Sequence, residues 1–395
     1  MSGSVFLSRP AVLCAAGSSA QELWASCISG NQGGIKKVRA LNGKEFFAAR
    51  IDDSLLQKKS GARYDMRIMR IEESCLAQLE VQIEAAVKKY GAERLGVCVG
   101  SCDNGTEFSV AGHSIYFERG SFAPDYSLEI QGADYVATFI SEKYALKGPA
   151  LTFSTACSSS AGAVIKAAEL IRSGLCDAVI AGGVDIASDT VLMGFDSLEA
   201  VSPQITNPFS KNRHGITLGE AAAFFVLSKD DVDGTGIELL GYGESADAYH
   251  MTSPDPSGDG AARAMAQALQ RSGLSPEQID YLNLHGTGTK FNDSMEAKAV
   301  ASVFGSYRIP CSTTKPLTGH TLGAAGALEL AVCFEALVQN HKKENALLPV
   351  QVWDGVQDEE LPALNITDRT KSVDVCMSNS FAFGGSNASV IIGRR

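Results

Sequence analysis

The sequence predicts an α/β protein made of two similar βαβ-type halves. Three observations carry that prediction. Apolar runs of strand length alternate with helical periodicity along the chain. One of these runs, residues 148–153, leads into a cluster of small residues and then a helical stripe. From about residue 237 the same order of elements starts again. A single repeat of this kind cannot bury both faces of its sheet, so two would pack into one layered body. The halves divide into residues 1–232 and 233–395.

Residues 5–7 and 11–17 read as short strands, and a helix starts over residues 19–24. Residues 30–60 are polar, contain glycine and lack a period, so they read as surface loop. Residues 66–90 carry one long helical pattern, ended by Gly91. Residues 95–100 are an apolar strand, 101–106 a Gly/Asn loop, 107–130 irregular, and 134–144 a helix. After the strand at 148–153 comes a helix whose apolar stripe is Ala161, Ile165, Ala168 and Ile171, stopped by Gly174. Residues 177–185 and 221–228 are buried strands, separated by a loop-rich stretch over 189–215. In the second half, 237–243 is a strand and 260–272 an amphipathic helix. A strand over 279–284 runs into the glycine loop after it, and 293–304 is a helix. Residues 309–315 lead through Thr318-Gly319-His320 to a helix reaching Asn340, a copy of the arrangement at 148–172. Residues 373–380 and 388–392 match 177–185 and 221–228.

Composition narrows the function. With 45% apolar and 20% charged residues the chain is globular, and its net charge of −11 lacks the basic bias of a nucleic-acid binder. Ten cysteines form no framework, and the pair Cys98 and Cys102 has no companion pair to complete a zinc site. No signal peptide is read at the N-terminus, and the longest apolar run, 221–227, is too short to span a bilayer. A cytoplasmic protein with reduced thiols is expected. No Gly-x-Gly-x-x-Gly opens a helix after the first strand, so a dinucleotide site is not expected.

The chemistry collects at the ends of predicted strands, where α/β proteins place their sites. Cys157 sits where a strand turns into a helix. The helix start favours negative charge, so the sequence predicts a stabilised thiolate there. The alternative is an inert thiol buried in a crowded turn. His285 and His320 lie in Gly/Thr-rich turns of the second half. Beside Cys157, two imidazoles could donate N–H bonds to a carbonyl oxygen that gains negative charge. That chemistry suits a thioester, first acylating the thiol and then attacked by a carbanion.

Five motifs then carry a resemblance. Thr155-Ala156-Cys157-Ser158-Ser159-Ser160, His285-Gly286-Thr287-Gly288-Thr289, residues 315–326 around Lys315 and His320, residues 379–387 around Phe383, and residues 245–254 resemble the elongating β-ketoacyl-acyl carrier protein synthases, type II members in particular. The resemblance runs almost end to end. It implies a thiolase fold, an αβαβα layered sandwich of two similar halves. It also implies that Cys157 takes the acyl chain from carrier-protein phosphopantetheine, with no separate cofactor. The backbone N–H groups of Cys157 and Phe383 would form the oxyanion hole, and the Phe383 ring would gate the acyl pocket. His285 and His320 would stabilise the enolate left by malonyl decarboxylation. Lys315 would have Asp293 and Glu329 as acidic neighbours. Thr287 and Thr289 match pantetheine contacts, and Asp247 and His250 a polar loop near the malonyl path.

Three departures bear on the substrate. His214-Gly215-Ile216 stands where the family usually has Asp-Gly-Phe, so Ile216 reshapes the acyl site. Residues 196–210 are short, and Lys290-Phe291 replaces a Pro-Leu type pair. These leave open a polyketide or polyene chain in place of an ordinary fatty-acyl one. The expected partners are an acyl carrier protein and a second ketosynthase-fold chain, either a copy of this one or a chain-length-factor-like sister. A basic cluster that includes Arg63 and Arg67 is the candidate carrier-docking face. The alternative function is a ketosynthase-fold subunit acting mainly as a heterodimer partner or chain-length determinant.

Overall fold

The structure is a computed structural model describing residues 3–61 and 63–394. The first half begins with Phe6–Leu7 (β1) and Ala11–Cys14 (β2). In Ala20–Ser29 (α1), the Ser19 hydroxyl accepts from the Glu22 amide at the start, and Gly30, at φ 69°, ends the helix. Ile35–Arg39 (β3) and Glu45–Ala49 (β4) pair as an antiparallel hairpin, which corrects the loop expected over 30–60. The hairpin buries little beyond Ile35, Phe46, Ala48 and Ala49, and its charged outer positions mask the period. Residues 66–90 form two helices, Arg67–Leu76 (α2) and Glu80–Tyr90 (α3), split by a 3-10 turn at Ala77–Leu79. The tighter turn rotates the apolar stripe so that Leu76 and Ile83 both stay buried. Leu95–Gly100 (β5) is buried throughout. Thr106–Arg119 (α4) is helical where the sequence predicts irregular chain. Gly112 is its one buried residue, so no apolar stripe marks it. Tyr135–Lys143 (α5), Ser159–Arg172 (α6) and Ala178–Asp185 (β7) follow as predicted, whereas Ala150–Phe153 (β6), a strand expected from its apolar run to be buried, is exposed to half-buried because it lies at the sheet edge. Asp189–Ser197 (α7), capped by the Ser188 hydroxyl, lies inside the predicted loop. Leu218–Gly219 (β8) joins the hairpin beside β4, and Ala221–Ser228 (β9) is fully buried.

The second half contains Glu238–Ala246 (β10), Asp259–Ser272 (α8), Tyr281–Asn283 (β11), Lys290–Phe304 (α9), Pro310–Ser312 (β12), Lys315–Thr318 (α10) and Ala325–Gln339 (α11). Ala346–Leu347 (β13), Asn365–Ile366 (β14), Arg369–Thr370 (β15), Val375–Phe381 (β16) and Ser386–Gly393 (β17) complete it.

The pairings reveal the duplication. In the first half β9 is antiparallel to β7, and β7, β5 and β6 run parallel in that order. In the second, β17 is antiparallel to β16, and β16, β11 and β12 run parallel. Strand β1 stitches β9 to β10, so the two halves share one hydrogen-bonded array. Helices α6 and α11 pack on each other and on strands of both halves. Helices α2 and α5 cover the outer face of the first half, and α8 and α9 that of the second. The result is the predicted αβαβα layering. The stretch Leu322–Gln339 is apolar and long enough to cross a bilayer, yet 89% of it is buried between the halves.

Candidate active site

Cys157 is presented by the turn between β6 and α6. Ala156 adopts a left-handed φ of 51°, which costs a residue with a Cβ about 1 kcal/mol and swings the chain sharply into the 3-10 turn Ala156–Ser158. The Ser159 hydroxyl accepts from the Thr155 amide at 2.9 Å and donates to the Ala156 carbonyl at 2.6 Å, bracing the turn. Gly100 makes room for it: a Cβ there would lie 2.2 Å from the Ser160 nitrogen. The second half repeats the turn at Leu322–Ala324, with Leu322 at φ 52°.

His285 follows β11 in a buried loop held by carboxylates of α9. Glu296 accepts from the amides of His285 and Gly286, both at 2.7 Å. Asp293 accepts from Thr287 at 3.1 Å, Gly288 at 3.2 Å and Phe209 at 2.8 Å. Sequence reasoning missed Glu296. Its signal, an acidic residue one turn after Asp293 on the same helix face, is visible only once the loop is known to fold back onto α9. Asp293 was expected beside Lys315; instead it braces the loop, and Glu329 alone pairs with the lysine. Lys315 also donates to the His285 carbonyl and lies 3.3 Å from His285 Nδ1.

The two imidazoles stand 5.3 Å apart, nearly perpendicular at 85°. Burial pushes both well below 6.5, and Lys315 acts in the same direction, so both rings are neutral. The Leu322 amide donates to His320 Nδ1 at 3.3 Å, as Lys315 does to His285 Nδ1. With each Nδ1 accepting, each ring carries its proton on Nε2. His320 Nε2 lies 3.0 Å from Cys157 Sγ. His285 Nε2 is buried with no partner among the described residues. Cys Sγ and the two ring nitrogens lie within 4.8 Å of one another, a spacing a metal could bridge. In the Nε2–H tautomer the two rings present a pair of hydrogen-bond donors.

The thiol differs from expectation. Burial pushes Cys157 up to about 11, although Lys315 and the Phe383 amide pull it down. Enclosure outweighs the favourable turn, so the resting group is the neutral thiol. Alkylation by iodoacetamide, read by intact mass, should therefore keep rising about tenfold per pH unit beyond the ~8.5 of a free thiol. Lys315→Met should move the curve to still higher pH. A plateau below pH 8 would show that the turn wins over burial.

A cavity of about 470 Å³ opens onto these groups. Thr287, Thr289, Asp247, Ile216 and Phe383 line it, and the Phe383 ring lies 6.0 Å from that of Phe195. Asp247 Oδ1 accepts from the Asn387 side-chain Nδ2 at 2.7 Å. His250 is exposed and outside the cavity lining, its Nδ1 accepting from the Thr252 amide at 3.2 Å. Arg67 is not a free cation: it pairs with Asp53 and Glu220 and donates to the Ile51 carbonyl. Arg63 is matched by Glu129. Ion pairs therefore engage Arg63 and Arg67, the two cations singled out in the cluster read as a docking face, and the Arg63–Glu129 pair lies at the surface.

A thiol beside two neutral imidazole donors lies in a cavity at the ends of parallel strands, on a thiolase fold and in the setting of an acyltransferase. The chain belongs to the β-ketoacyl synthase family: the family's N-terminal domain matches residues 13–232 and its C-terminal domain residues 237–345. It is 32% identical to a 3-oxoacyl-[acyl-carrier-protein] synthase 2 of Vibrio cholerae, covering 97% of each chain. It is 31% identical to that of Coxiella burnetii, over 96% of this chain and 95% of the relative. Among solved structures it superposes with TM-score 0.92 on a ketosynthase of Xenorhabdus doucetiae, in complex with its chain length factor, at 37% identity over 100% and 98% of the two chains.

Proposed function

We propose that the chain joins an acyl group held on Cys157 to malonyl-acyl carrier protein, by decarboxylative Claisen condensation, in fatty acid or polyketide elongation. The observation that carries this reading is the pair of Nε2–H donors facing the cavity beside a thiol 3.0 Å away. Cys157 sulfur attacks the acyl thioester, and its proton passes to the departing pantetheine sulfur. The Cys157 and Phe383 amides receive the tetrahedral oxyanion. Malonyl thioester then binds, its carbonyl oxygen accepting from His285 and His320. Loss of CO₂ leaves an enolate whose charge those two N–H groups hold. The enolate carbon attacks the acyl-Cys157 carbonyl and releases the thiolate. Lys315, with Glu329, fixes the His285 tautomer; Thr287, Thr289, Asp247 and Ile216 shape the path. The nucleophile belongs to residues 1–232 and the histidines to 233–395, so the reaction needs both halves. No cofactor beyond carrier-bound pantetheine enters these steps. All ten cysteines are free thiols, in keeping with a cytoplasmic setting.

The test is intact-mass spectrometry of the protein with a panel of acyl carrier proteins, reading which acyl group loads, followed by malonyl carrier protein. Loading on Cys157 and a β-ketoacyl product support the reading. Malonyl decarboxylation without any acyl loading would favour a partner-subunit role.

The same reading includes a dimer, formed with a copy of this chain or a chain-length-factor-like sister. Strand β6 lies at the sheet edge with uncharged residues, and Leu151 is 37% exposed. Such an edge is a row of unpaired backbone groups that needs covering. Along the segment from α4 onward, Tyr116, Phe117, Phe122 and Leu128 are also exposed. Light scattering should give about twice the 41.6 kDa chain mass, or show the chain insoluble until its sister is co-expressed. A fully active monomer at micromolar concentration would refute this.

A further inference from the structure

We infer that Asp185 is a positioning residue for the condensation: its buried carboxylate ties the second-half turn to the first half and thereby sets the contact between His320 and Cys157. The inference rests on the proposed roles of those two residues.

The catalytic groups come from opposite halves, so something must fix the halves at the site. Asp185 is the last residue of β7 and is 1% exposed. Its Oδ2 accepts from the Gly323 amide at 2.6 Å and from the Cys102 amide at 2.9 Å. Its Oδ1 lies 3.3 Å from the Ser101 hydroxyl. The Ser101 amide in turn donates to the Phe153 carbonyl, at the end of the strand that presents Cys157. One carboxylate thus joins the chain beside the nucleophile to the turn that follows His320.

The duplication explains why a carboxylate fits there. Gly323 occupies the place in the second turn that Cys157 occupies in the first, each after a residue at φ near 50°. In the first half the amide at that place is the proposed oxyanion donor. In the second, the equivalent amide is satisfied permanently by Asp185. A Cβ on Gly323 would lie 2.6 Å from Asp185 Oδ2 and 2.9 Å from the Cys102 nitrogen, so a side chain and the clamp exclude each other. The connection to catalysis is one peptide long. Leu322, immediately before Gly323, donates its amide to His320 Nδ1, and His320 Nε2 meets Cys157 Sγ. Pulling Gly323 toward Asp185 therefore sets both the tautomer and the reach of the imidazole.

The experiment compares Asp185→Asn, Asp185→Ala and Gly323→Ala in the dimeric protein, with active sites counted by alkylation of Cys157. Asp185→Asn keeps an oxygen for the two amides and should retain the per-site condensation rate within about threefold. Asp185→Ala leaves both amides unpaired and should lower kcat about 100-fold per site, with KM for malonyl carrier protein within about twofold. An Ala variant as active per site as the Asn variant, or an Asn variant as impaired as Ala, would overturn the inference. Gly323→Ala forces the carboxylate away, and because the Asp185 charge itself raises the Cys157 thiol, the variant's alkylation curve is read against that of Asp185→Asn, which removes the charge and keeps the clamp. The Gly323→Ala curve should lie at higher pH than that reference as His320 withdraws from the sulfur. That measurement needs no condensation, so it separates failure of the clamp from failure of the proposed reaction. A Gly323→Ala curve no higher than that of Asp185→Asn would refute the clamp even if Asp185→Ala did not fold.

Discussion

Cys157→Ala should abolish acyl loading and lower condensation by at least about 10⁴-fold, while malonyl decarboxylation continues. The asymmetry follows from the geometry. Cys157 is the one cysteine that lines the cavity among the described residues, and the substitution leaves in place the proposed decarboxylation donors, His285 and His320. Removing Sγ also frees His320 Nε2 from its 3.0 Å partner and leaves it for the malonyl carbonyl. Decarboxylation should therefore hold its rate or exceed that of the native protein. The fold should survive, because Ala removes a single buried atom at a cost of about 1 kcal/mol. Intact mass after incubation with acyl carrier protein and a CO₂-release assay check the two halves of the expectation. Stable acylation of the variant at native stoichiometry would remove Cys157 from its assigned role.

The parts of the site legible in sequence are those whose signals are local. The turn at Cys157 announces itself through an apolar run, small residues and a helical stripe in unbroken succession. The turns holding His285 and His320 are marked by glycines and threonines around each ring. The duplication could be read because element order persists where identities have gone. What could not be read depends on chain returning from a distance. Asp293 holds Thr287 from 6 residues downstream and Glu296 holds His285 from 11, through a helix that folds back on the loop. Asp185 acts on Gly323 across 138 positions. Arg67 looks like a free cation in a basic run, yet its main partner, Glu220, lies 153 residues away. Helix α4 escaped for a different reason: with little of it buried within this chain, it has no stripe for a periodicity argument to find. Helical propensity without amphipathicity leaves little trace in the pattern.

His285→Ala and His320→Ala should each lower malonyl decarboxylation by about 10²- to 10³-fold, but they should differ in the first half-reaction. Both rings are neutral donors, since burial and Lys315 hold them well below 6.5. A neutral N–H stabilises an enolate oxygen without protonating its carbon, which must stay nucleophilic. His285 Nε2 has no partner among the described residues, and leaving such a buried donor unmet costs about 1–3 kcal/mol. A substrate oxygen removes that cost, so the site is organised for its ligand at the expense of its empty state. Because His285 Nε2 has no partner on Cys157, acyl transfer in His285→Ala should stay within about threefold of native. His320 touches the sulfur as well, so His320→Ala should also slow transfer, by about tenfold, through a thiolate less well stabilised. Pre-steady-state acylation read by mass, alongside CO₂ release, separates the two effects. If transfer falls equally in both variants while decarboxylation is untouched, the histidines serve the thiol and not the malonyl group, and the division of labour proposed for them is wrong.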